Sequence, residues 1–215
     1  MSKYTHIIWD WNGTLLNDIG ASLASVNDML AMRGKPPIDI DFYRKCIGVP
    51  IVKFYEKVFE LEKEDYSTII KQYNEGYLHH LAACGLTDGA IEAIGYFSKI
   101  GVKQAVVSSS NNEQLCNNMK KYGVYDCFDA VLGAMDYFAG SKIERAVDYL
   151  KKSGAKKGHV LVVGDLEHDA EMAAELGADC VLLTSGHENR ERLKSANARI
   201  IDNLHQLILL VKIAQ

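Results

Sequence analysis

One apolar run, HIIWDWNGT (6–14), ends in Asp10 and is followed at once by Trp11, Asn12, Gly13 and Thr14. Further along, VVSSS (106–110) supplies Ser108 and Ser109, GSK (140–142) supplies Lys142, and GDLEHD (164–169) supplies Asp165 and Asp169. Carboxylates are hard oxygen ligands for a divalent cation. A cation, an ammonium group and hydroxyls together bind a phosphate. Asp10, Asp165, Asp169, Ser108 and Lys142 therefore make a set suited to Mg2+ and a phosphate, provided the fold brings them to one place.

The intervening chain predicts such a fold. Six short runs rich in β-branched residues, 6–11, 103–109, 129–134, 159–165, 180–185 and 198–202, read as buried strands. Amphipathic patterns at 88–100 (with Ile91, Ile94 and Phe97 in register), 112–122, 142–153, 167–177 and 203–213 read as helices between them. Alternating strand and helix predicts an α/β, Rossmann-like three-layer core with a parallel sheet. Ligands of such sheets sit at the carboxyl ends of the strands, where Asp10, Ser108 and Asp165 fall. The stretch 17–86 breaks the rhythm, with helical pieces and no good strand run. The expected organisation is a core of 1–16 and 87–215 with an inserted all-helical unit of 17–86.

Bulk properties narrow the class. Hydrophobic residues at 48% and charged residues at 24% allow a sizeable core. A net charge of −4 gives no basic footprint, so nucleic acid is not an expected partner. No run of about 18 apolar residues predicts a membrane span, and no secretory signal is visible. Cys46, Cys84, Cys116, Cys127 and Cys180 show no paired spacing. They read as free thiols of a cytoplasmic protein, each a small buried hydrophobe.

DWNGT followed by a helical insert, then VVSSS, GSK and GDLEHD, resembles the haloacid dehalogenase superfamily over nearly the whole chain. The closer resemblance is to the helical-cap branch that includes phosphoglycolate phosphatases and β-phosphoglucomutases. That resemblance implies an Mg2+-dependent phosphohydrolase acting on a small phosphorylated metabolite. Asp10 would be the nucleophile, forming an aspartyl phosphate. Ser108, Ser109 and Lys142, with backbone N–H groups near Trp11 and Asn12, would hold the phosphate. Asp10, Asp165, Asp169 and the backbone carbonyl of Asn12 would hold Mg2+, although Asp169 can instead orient Lys142.

One position departs from the resembled pattern. The branch usually carries an acid two residues after the nucleophile, to protonate the leaving oxygen and later activate water. Here that position is Asn12. An amide exchanges no useful proton near neutral pH, and positioned acid–base groups contribute about 10²- to 10⁴-fold. Three readings follow. The first is a working phosphohydrolase whose leaving group departs easily, or whose proton comes from elsewhere, with His168 as candidate. The second is a phosphonatase-type C–P hydrolase using a cap lysine, with Lys53 near the relevant region. The third is a phosphate-binding or regulatory relative with little turnover. On the first reading, Asn12→Asp should raise turnover of alkyl phosphates more than of p-nitrophenyl phosphate. In the insert, FYRKCIGVP (42–50) is the expected substrate-facing stretch, with Arg44 and Lys45 available to an anion. Tyr43, Phe54, Tyr55 and Phe59 read as cap core, and His79 and His80 as surface or core-edge residues.

Overall fold

The computed structural model describes residues 3–135 and 142–213. Gly140 and Ser141 of the GSK motif lie outside the described residues. Six parallel strands form the central sheet: β1 (His6–Trp9), β4 (Lys103–Asn111), β5 (Ala130–Ala134), β6 (Val160–Gly164), β7 (Asp179–Leu183) and β8 (Arg199–Ile201). Their order is β5-β4-β1-β6-β7-β8. β1 therefore lies between β4 and β6, with Ile8 level with both Ala105 and Val162.

Alternate residues of β1 face opposite layers. Ile7 and Trp9 join an apolar cluster with α5 (Ala90–Lys99), α6 (Asn112–Lys121) and α10 (Leu204–Ile213). Ile8 joins another with α7 (Lys142–Ser153) and α8 (Glu167–Leu176). Helices thus cover both sheet faces, as the continuous apolar strands require. On α5 the core stripe is Ala90, Ala93, Ile94 and Phe97, whereas Ile91 is 55% exposed. The expectation for Ile91 is corrected. Small Ala90 and Ala93, on the same face as Ile94 and Phe97, let the helix sit close to the sheet, and this stripe excludes position 91.

Between β1 and α5 come four helices, α1 (Ile19–Met32), α2 (Ile40–Cys46), α3 (Val52–Val58) and α4 (Tyr66–Leu81). They enclose their own apolar cluster, in which Tyr43, Phe54, Tyr55 and Phe59 are all buried as cap core. Asp39 and Asp65 cap α2 and α4 by accepting from the N–H groups of Phe42 and Thr68. The chain enters and leaves this unit through a two-stranded antiparallel ribbon, β2 (Leu16–Asn17) with β3 (Gly85–Leu86). No strand was expected there. Two residues per strand are too few to carry an alternating pattern. The cysteines are free, but Cys127 is exposed and Cys46, Cys84 and Cys116 are half-buried, so only Cys180 is fully inside. No helix among the described residues is long and apolar enough to cross a membrane.

Candidate active site

Because β4, β1 and β6 are neighbours in parallel register, their carboxyl ends deliver Ser108, Asp10 and Asp165 side by side. Asp10 is anchored by its N–H, which donates to the Val163 carbonyl at 2.8 Å. After it the chain turns sharply, with the N–H groups of Leu15 and Leu16 both donating to the Trp11 carbonyl. Gly13 has φ +71°, and a Cβ there would collide with the Asp165 carboxylate and the His187 ring. Only glycine lets the turn pass this close.

Lys142, the first residue of α7, sends Nζ to within 2.7 Å of both Asp10 Oδ1 and Asp169 Oδ1. All three side chains are buried. Asp169 stands at the start of α8, where its Oδ2 also accepts from the N–H groups of Asp165 and Leu166 at 3.1 Å each. Gly164 makes room for it, since a Cβ at that position would strike the Asp169 carboxylate. One oxygen of Asp169 thus orients Lys142 while the other ties down the β6–α8 turn. Oxygens of Asp10, Asp165 and Asp169 lie within 4.8 Å of one another. Thr14 Oγ1 and the His187 N–H donate to the two oxygens of Asp165, at 2.9 Å and 2.7 Å.

Burial raises the Asp10 carboxyl to about 6; Lys142 opposes the shift and Asp169 adds to it. Burial likewise raises Asp165 to about 8, with Asp10 and Asp169 contributing and His187 opposing. For Lys142, burial opposes the charge, but Asp10 and Asp169 prevail and hold its pKa above the ordinary value. Carboxylates withdrawn from water in this way resist ionising until a cation compensates them.

Ser108 is fully buried, and its Oγ accepts from the Ser110 N–H at 3.1 Å. β4 carries a register shift between Val107 and Asn111, and such irregularities re-aim side chains. Ser108 and Ser110 both turn toward Asn12, donating to its Oδ1 at 3.4 Å and 2.7 Å, while Ser109 is exposed. Trp11 is buried in the core, and its backbone N–H is among the groups that lower the Asp10 pKa.

The Asn12 amide is fully engaged. Nδ2 donates to Asp18 Oδ2 at 2.7 Å and to the Tyr77 hydroxyl at 2.8 Å. Asp18 is buried and also accepts from the Gly13 N–H, from Tyr77 and from His187 Nε2. Burial opposes its ionisation, but the charge of His187 and bonds from His187, Asn12 and Tyr77 keep its pKa below the ordinary value. His187 sits in the loop after β7. Burial disfavours its charge, yet Asp18, Asp165 and Asp10 together raise it to about 9. Its Nδ1 meets the Tyr43 hydroxyl of α2 at 2.9 Å.

Asp18, Tyr77, Ser110 and His187 were not among the expected site residues. Asp18 looks like an ordinary helix-start acid, and His187 belongs to no motif. The available signal was an amide in the turn after Asp10, which requires a neighbouring acceptor. Other expectations find different places. His168 bonds Glu171 at 3.0 Å on the helix surface. Lys53 and Lys45 are exposed. Arg44 donates to the Ser185 carbonyl at 3.1 Å. Stretch 42–50 faces the core through Tyr43, Arg44 and the Ile47 carbonyl, which accepts from Arg192. His79 is exposed, and His80 bonds Asp28 at 2.7 Å at the edge.

A family profile described as haloacid dehalogenase-like hydrolase matches residues 7–183. Phosphoglycolate phosphatase 1 of Pseudomonas aeruginosa is 24% identical over 212 residues, covering 94% of this chain and 78% of its own. Pyrophosphatase PpaX of Halalkalibacterium halodurans is 24% identical over 169 residues, 73% of this chain and 76% of its own. A haloacid dehalogenase-like hydrolase structure from Streptococcus pneumoniae superposes with a TM-score of 0.83 at 18% identity, over 98% of this chain and 99% of the other. That likeness establishes the shared fold.

Proposed function

This chain belongs to the haloacid dehalogenase-like hydrolase family, and from that premise we propose that it is a Mg2+-dependent phosphohydrolase of small phosphorylated metabolites, with Asp10 as nucleophile. The observation that carries the reading is the placement of Lys142 Nζ at 2.7 Å from Asp10 beside Asp165 and Asp169. Four buried carboxylates, Asp10, Asp18, Asp165 and Asp169, face two buried cations, Lys142 and His187. With all four ionised they would outnumber those cations by two, a surplus that one divalent ion would match, and an all-oxygen donor set suits Mg2+.

Asp10, Asp165 and Asp169, with the Asn12 backbone carbonyl, would hold that ion. Bound there, it supplies positive charge against the phosphate oxygens. Without compensation, a carboxylate approaching a phosphate meets repulsion of about 4 kcal/mol per charge pair at ~4 Å and an effective dielectric of 20. Lys142 reverses that sign on the attacking side. Ser108 and Ser109, with the N–H groups of Trp11 and Asn12, would hold the phosphate. Asp10 attacks phosphorus, the leaving oxygen departs with its electron pair, and an aspartyl phosphate forms. Water then attacks phosphorus, releasing inorganic phosphate and the Asp10 carboxylate.

Asn12 gives no proton, so the substrate class that fits is one whose leaving group departs as a weak base, such as a phosphoanhydride or an activated ester. Helices α1–α4 form the cap over this site, joined to the core through the β2–β3 ribbon. The five free thiols fit a reducing, cytoplasmic setting. A panel of phosphate esters and anhydrides, assayed with and without Mg2+, tests the reading. Mg2+-dependent phosphate release is the expected result. No release from any activated substrate would favour a phosphate-binding protein with little turnover.

A further inference from the structure

The amide at Asn12 and the carboxylate at Asp18 form a closed hydrogen-bond ring with Tyr77. Asn12 Nδ2 donates one N–H to Asp18 Oδ2 at 2.7 Å and the other to the Tyr77 oxygen at 2.8 Å, and the Tyr77 hydroxyl donates to Asp18 Oδ2 at 2.7 Å. Every donor in the ring has one acceptor. The orientation of Asn12 follows from this. Asp18 is an acceptor only, so the amide nitrogen must face it, and Oδ1 must face Ser108 and Ser110. The other Asp18 oxygen is held by the Gly13 N–H at 2.7 Å and by His187 Nε2 at 3.2 Å, so the carboxylate cannot rotate out of the ring without losing two donors.

We propose that Asp18 is the positioning residue of this site, acting through Asn12, and that the amide and the carboxylate can exchange positions as a unit. The proposal rests on the phosphohydrolase reading for its effect on turnover, but not for the pairing itself. Asp18 keeps the Asn12 carbonyl oxygen on the two serine hydroxyls beside Asp10. An acid at 12 with Asp18 unchanged sets two carboxylate oxygens against each other, with only Tyr77 to donate. On this proposal, Asn12→Asp alone costs pairing whatever it adds in proton transfer. An amide at 18 with Asn12 unchanged sets two NH2 groups against each other. Flipping the new amide would turn its NH2 onto the Gly13 N–H and the His187 Nε2–H instead. With both exchanged, the ring runs in reverse. The new amide at 18 donates to the new acid at 12 and to Tyr77, Tyr77 donates to the acid, and the amide oxygen still accepts from Gly13 and His187. The second oxygen at 12 still accepts from the serines.

The test is a cycle of wild type, Asn12→Asp, Asp18→Asn and the double exchange. Melting temperature in metal-free buffer, and kcat and KM for p-nitrophenyl phosphate with Mg2+, are measured for each. Each single variant should melt about 5 °C below wild type, the effect of one mispaired buried polar group, and the double within about 2 °C of it. Asp18→Asn should lower kcat about tenfold with KM within twofold, and the double should recover kcat to within about threefold of wild type. A single variant too unstable to purify is rescued by the second change if the pairing holds. Additive losses in melting temperature, or a double no more active than Asp18→Asn, would overturn the proposal. Wild-type turnover is a separate control. If it is nil, the phosphohydrolase reading fails, while the melting cycle still decides the pairing.

Discussion

Lys142 Nζ lies 2.7 Å from Asp10 Oδ1, with both side chains buried. The proposed nucleophile and the ammonium are thus paired before any phosphate arrives, and Asp169 also holds the lysine. Lys142→Ala removes a charge aimed at the place where negative charge gathers in the reaction. Its kcat should fall by about 10²- to 10³-fold, the range for losing one preorganised electrostatic donor. Steady-state kinetics, with a circular dichroism spectrum to show the fold intact, checks this.

The pH dependence of stability follows from the same crowding. Asp165 is raised from 3.8 to about 8, so the folded protein keeps a proton that the unfolded chain has already released. Its contribution is therefore lost as pH rises between those values, and Asp10 acts in the same sense between 3.8 and about 6. His187, raised from 6.5 to about 9, contributes stability that is full below 6.5 and lost as pH climbs through 9. All of these slopes run one way. In EDTA the melting temperature should fall steadily from pH 6 to pH 9. Added Mg2+ should raise it, and by more at the higher pH. Thermal melts across this range with and without the metal provide the check; a stabilisation by Mg2+ that shrinks with pH would contradict the charge count.

Leaving-group dependence reports on Asn12. With no proton donor at that position, turnover should fall steeply as the leaving group becomes more basic. An alkyl phosphate should be hydrolysed at least about 100-fold more slowly than p-nitrophenyl phosphate, the lower end of what a positioned acid supplies. Comparable kcat values on the two esters would show that another group delivers the proton.

The parts legible in the sequence were those whose signal is local. β1 announces itself by three apolar residues before Asp10, and α8 by GDLEHD, because a strand end and a helix start are written in neighbouring residues. Parallel strand alternation then suffices to place Asp10, Ser108 and Asp165 at one edge. Asp18 and His187 are different. Their side chains meet at 3.2 Å across 169 positions of chain, and neither has a neighbour in sequence that signals the meeting. The β2–β3 ribbon escaped for a similar reason, since two-residue strands exist only through their pairing. Ser110 was hidden by its company. In a run of three serines, only the strand's pleat and the bulge decide which hydroxyls face inward.

Gly13 tests how tightly the turn after Asp10 is packed on Asp165. Gly13→Ala puts a methyl group into the Asp165 carboxylate and the His187 ring at a backbone φ of +71° that alanine rarely adopts. The variant should fold with a lowered melting temperature, by about 1–3 kcal/mol of stability, and its Mg2+ affinity should drop about tenfold or more as Asp165 is displaced. Isothermal titration with Mg2+ measures the second effect directly.

Asp10 is proposed to take up the phosphoryl group beside a metal held by the strand-end acids. A crystal structure of the protein soaked with Mg2+ and fluoroberyllate, a mimic of an acyl-linked phosphoryl group, tests it most directly, with Asp10→Asn as the control. Beryllium should be bonded to an Asp10 oxygen, within reach of Lys142 and Ser108. Mg2+ should sit on Asp10 and Asp165, and the control should hold no fluoroberyllate. Fluoroberyllate bound elsewhere, or retained at the same place by Asp10→Asn, would contradict it.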